Sequence, residues 1–109
     1  MNSKFVDYEI SRGNVFEDLG LPDAPELLAK ARLAHRISQI IDKRGMTQGQ
    51  AATVLGIDQP KISAIVRGRL EKFSLERLCD HLRKFGCDVN IQVAEKSKRS
   101  PGRLTVSIA

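Results

Sequence analysis

Gln59 and Lys61 flank Pro60 just after Gly56-Ile57-Asp58, and Gln48 stands one short segment earlier, next to Thr47. A glutamine carboxamide donates and accepts at once, so it can bond adenine N6 and N7 together. A lysine ammonium can reach guanine O6 or N7, or a phosphate. A glutamine at the start of a helix has its amide and the free backbone N–H groups beside it placed to hold a phosphate. Ser63, Ala64 and Arg67 follow on the same stretch, with Arg69 and Lys72 just beyond. The chemistry on offer is recognition of base edges and phosphates, not bond making.

Other reactive types lack the company that catalysis needs. His35 falls near Ser38 and Asp42, off the apolar stripe of its helix, and His81 lies beside Arg77 and Lys84; both read as surface histidines. Cys79 and Cys87 form no Cys-x-x-Cys pair, and Cys79 shares an apolar stripe with Leu75, Leu78 and Leu82, so buried or incidental thiols are the better reading. With no phosphate-binding glycine loop, no metal constellation and no acid/base pair, neither a cofactor nor an enzyme is expected.

Positioning the polar residues requires two short helices crossing steeply, and 47–68 is written for that. Thr47 and Gln50 form a capping box that opens the first helix, which runs to about Leu55. Ala51 and Ala52 are small enough for close helix contact, and Gly56 supplies the sharp turn. Asp58 caps the second helix, Pro60 suits its first turn and Gly68 closes it. Ile57, Ile62 and Ile65 fill the wedge, with Leu55 closing it from the first helix. The outer side of the second helix is then free to enter a major groove about 12 Å wide. The plainer alternative is an αα-hairpin whose polar residues only face water.

The remaining elements support this pair. A long helix opens at Asp23-Ala-Pro-Glu26 and ends at Gly45, burying Leu33, Ala34, Ile37, Ile40 and Ile41. A later helix starts at Ser74, with Phe73 and Leu78 spaced as a hydrophobic staple, and stops at Gly86. A short helical turn around 16–19 precedes them. After Gly86 the period changes to two: Val89, Ile91 and Val93 alternate with polar residues, as do Leu104, Val106 and Ile108. This reads as two strands joined by a basic loop at 96–103, which can follow a phosphate backbone or simply face solvent. The expected fold is mainly α: five helices with a short C-terminal β element. It divides into an acidic arm (1–22), a helical body (23–88) and the β element (89–109).

Charge agrees with an anionic partner. The 109 residues carry a net +5. Residues 1–26 set Lys4 and Arg12 against Asp7, Glu9, Glu17, Asp18, Asp23 and Glu26, a net −4, leaving +9 on the rest. Phe5, Tyr8 and Phe16 in the acidic arm either anchor a protein partner or staple the arm to its own core. No apolar run approaches a membrane span and the polar start does not look like a signal peptide, so a cytoplasmic protein is expected.

Residues 47–68 resemble the helix-turn-helix of the XRE (Cro/lambda-repressor) family without a gap, so a lambda-repressor-like domain is implied. Three further segments are similar to the small repressors that look like HigA-type antitoxins: 13–22 (Gly-Asn-Val-Phe-Glu-Asp-Leu-Gly-Leu-Pro), 72–78 (Lys-Phe-Ser-Leu-Glu-Arg-Leu) and 85–91 (Phe-Gly-Cys-Asp-Val-Asn-Ile). The resemblance covers about 13–93. It implies a homodimer on a palindromic double-stranded DNA operator that often represses its own operon. In many members the partner is a small basic RNase toxin, so a module that mainly neutralises such a toxin is the alternative. By position, Gln48 would contact a phosphate, while Gln59, Pro60, Lys61 and Ala64 would face bases. Pro60 and Ala64 depart from the polar residues phage repressors often carry there, which implies thinner direct readout, such as a methyl contact from Ala64 to thymine. One reading head covers few base pairs, so a dimer is expected, joined through Val89, Ile91 and Val93 with Phe85 beside them.

Overall fold

The computed structural model describes residues 24–96 and 101–109. Four helices form among them: α1 (Ala24–Lys43), α2 (Gln48–Leu55), α3 (Gln59–Val66) and α4 (Leu75–Lys84). Local sequence sets the boundaries. The Thr47 hydroxyl accepts from the Gln50 backbone N–H at 3.0 Å, and the Thr47 N–H donates to the Gln50 side chain at 2.9 Å, completing the capping box. Asp58 accepts from the Lys61 N–H at 3.2 Å, and Ser74 from the Arg77 N–H at 3.0 Å, opening α3 and α4. Gly56 takes φ 70°, ψ 30°, the left-handed geometry that lets α2 end and the chain reverse within three residues.

One apolar core joins the four helices. Ile37, Ala51, Leu55, Ile62 and Leu78 are fully buried, and Ile65 nearly so. α1 packs on α4 and α3, and α2 packs on α3, with a lighter contact between α2 and α4. The residues expected to face inward on α1, and both alanines of α2, do so. Ile57 is half-buried against the same core. No helix among the described residues is long and apolar enough to cross a membrane.

The described residues hold four of the five expected helices; the fifth, the turn at 16–19, lies outside them with the rest of the 1–22 arm, the Asp23 cap and the Phe5, Tyr8 and Phe16 anchors. One expectation needs correction: the C-terminal β element is absent among the described residues, since 89–96 and 101–109 contain no strand, and 97–100 of the basic loop lie outside them. Alternation marks which side chains would share a face, but a strand exists only when its backbone groups are paired, and a lone two-stranded ribbon is marginal. Ile91 and Val93 are accordingly 81% and 92% exposed, while Val89 and Val106 lie against the helical core.

Candidate nucleic-acid interface

α3 is held on one side only. Ile62 and Ile65 seat it on the core, while Gln59, Pro60 and Lys61 in its first turn are exposed, and Ser63 and Ala64 are half-buried further along. Arg67, Arg69 and Lys72 continue the exposed side past the end of the helix. Among the described residues, none of Lys61, Arg67, Arg69 or Lys72 is in an ion pair, whereas Lys30 pairs with Glu26 and Arg83 with Asp80. All four are exposed, so their charge faces solvent.

The start of α2 lies next to the first turn of α3. A Cβ on Gly49 would sit 3.7 Å from Gln59 Oε1 and 3.8 Å from Thr47 Oγ1, so the Gln59 carboxamide lies over the opening turn of α2. Thr47 is exposed at that turn, and Gln48, its first helical residue, is half-buried. The structure thus brings Thr47, Gln48 and Gln59 together from two helices, with Lys61 further along α3. Gly49 went unnoticed in the sequence because it sits inside the capping box. Its signal is a glycine within a helix where no positive φ calls for one.

Other residues are placed differently from expectation. Phe85 is 3% exposed in the core and is no surface for a second chain; its ring lies under the Arg44 guanidinium, 5.6 Å from the centroid. His81 is 2% exposed, not on the surface. Its ring meets Phe73 edge-on at 6.4 Å, and neither ring nitrogen has a hydrogen-bond partner among the described residues. Burial chiefly, then the charges of Lys84 and Arg77 and more weakly Lys61, push its pKa below 6.5, with Asp80 opposing. The clue was in the spacing: 78, 81, 82 and 85 share one helical stripe. His35 is exposed as expected. Cys79 and Cys87 are free and half-buried, and burial followed by Asp80 pushes the Cys79 thiol up, away from the reactive thiolate.

Comparison with known proteins bears on the same region. Residues 15–94 match the family model described as a helix-turn-helix domain. A solved structure titled as an XRE family transcriptional regulator is similar at 42% identity with a TM-score of 0.68, covering 81% of this chain and 98% of that one. The comparison with curated proteins found no match.

Proposed function

The chain belongs to the helix-turn-helix family and is akin to XRE-type transcriptional regulators, and from that membership we propose that it is a sequence-specific repressor that reads a palindromic operator as a homodimer. The observation that carries the reading is the first turn of α3, exposed beside the start of α2 and followed by unpaired cations. In this reading Gln59 and Lys61 meet base edges, with Pro60, Ser63 and Ala64 against the groove wall. Thr47, Gln48, Arg67, Arg69 and Lys72 hold phosphates. Gln59→Ala should weaken the specific duplex by about 1–3 kcal/mol while barely changing random DNA. Equal weakening of both in a fluorescence-anisotropy titration would make Gln59 a positioning residue only.

The dimer uses the segment after α4. Ile91 and Val93 stand exposed on it, in no strand among the described residues, and a second copy pairing there would cover both side chains. Autoregulation in the cytoplasm is the natural use of such a repressor. A second role, holding a small basic RNase toxin as an antitoxin, rests on the net −4 of residues 1–26, opposite in sign to an RNase groove.

A further inference from the structure

Two hydrogen bonds tie elements far apart in sequence, and both involve the C-terminal end of α4, one through its last residue and one through its C-cap. Lys84 Nζ donates to the Leu55 carbonyl at 3.0 Å. Arg44 Nη2 donates to the Phe85 carbonyl at 2.7 Å, with its guanidinium over the Phe85 ring. Leu55 ends α2, so its carbonyl has no partner within the helix, and an ammonium there also meets the negative end of the helix dipole. It directly precedes Gly56, the left-handed residue that turns the chain toward α3. Arg44 directly follows α1 and continues its hydrogen bonding, the Arg44 N–H donating to the Ile40 carbonyl at 3.0 Å. Lys84 therefore holds the C-terminal end of α2, and the Arg44–Phe85 bond holds the end of α1, from which the chain runs to the Thr47 cap, to the same end of α4.

α4 sits mainly on α1 and touches α2 lightly, while α2 leans on α3. We propose that Lys84 and Arg44 are positioning residues for DNA reading. By holding the C-terminal end of α2 and the end of α1 to the end of α4, they set the direction in which the α3 first turn is presented, without touching DNA themselves. This rests on the reading of α3 as the recognition helix. It extends that reading to residues whose charge would otherwise be assigned to phosphate contact.

The test uses the full chain and a duplex selected by the wild-type protein, against a random duplex of equal length, titrated at several salt concentrations at 20 °C. Lys84→Gln and Arg44→Gln should each lower the specific-to-random affinity ratio about tenfold, the scale of one misplaced base contact. The slope of log K against log salt should not change, and Lys84→Arg, which keeps a donor, should recover most of the ratio. Circular dichroism at 20 °C checks folding. Arg44→Lys, which keeps the cation but loses the planar stack, carries the test if a glutamine variant is unfolded. Parallel loss on both duplexes with the slope reduced by about one would make these residues phosphate contacts and overturn the proposal. A lowered melting temperature with an unchanged ratio would overturn it too. A wild-type protein with no preference at all would instead refute the reading of α3 on which the proposal rests.

Discussion

Replacing His81 with leucine should stabilise the protein. At neutral pH the buried ring is uncharged, yet its N–H and its lone-pair nitrogen both lack partners among the described residues. An unpaired buried polar group costs about 1–3 kcal/mol. Leucine has similar volume and no polar atom, but it forfeits the edge-on contact with Phe73, about 0.5–1.5 kcal/mol for aromatic pairs. The expected balance is a gain of about 1 kcal/mol, or roughly 4–8 °C in melting temperature for a domain of this size. The gain should grow in acid. Because folding lowers the pKa of His81 below 6.5, the unfolded chain takes up the proton first as pH falls. The wild type then loses stability from about 6.5 down to the folded-state pKa, at no more than about 1.4 kcal/mol per pH unit. His81→Leu lacks this contribution, and the other titrating groups are common to both proteins. Urea unfolding at pH 7.5 and 5.5 measures both effects. A variant less stable at pH 7.5, or a gap between the two proteins that stays constant with pH, would refute the reasoning.

Further outcomes concern the interface and the tail. If the dimer makes about six phosphate contacts, log K for DNA should fall with log salt at a slope near −5, and Lys61→Ala should bring it about one to two units nearer zero, depending on whether both copies make the contact; a flat salt titration of the wild type would remove the electrostatic argument. Deleting residues 88–109 should convert a dimer to a monomer by light scattering and weaken operator binding, because Ile91 and Val93 go with it. A truncated chain that stays dimeric would exclude the pairing of that segment.

What the sequence made legible is what short-range physics decides. Thr47 with Gln50, Asp58 and Ser74 cap helices through groups three residues away, and Gly56 turns the chain through its own φ, so these features could be placed from the letters alone. The exposed first turn of α3 followed, because Ile62 and Ile65 leave it one free side. His81 was misjudged because its charged neighbours suggested solvent, whereas the fold brings Phe73 and the core over it. The alternating tail was misjudged for the opposite reason: a pattern of two states a preference that one chain alone does not fulfil. Lys84 and Arg44 bond to backbone carbonyls, and a carbonyl leaves no mark in a sequence by which to find its distant donor.

The account stands or falls on whether the first turn of α3 reads bases. Selection of bound duplexes from a random pool, run in parallel with the wild-type protein and Gln59→Ala, tests this directly. The wild type should enrich a palindrome with half-sites one helical turn, about 34 Å, apart, and Gln59→Ala should lose preference at one position in each half-site. No enriched motif, or the same motif enriched equally by both proteins, would contradict it.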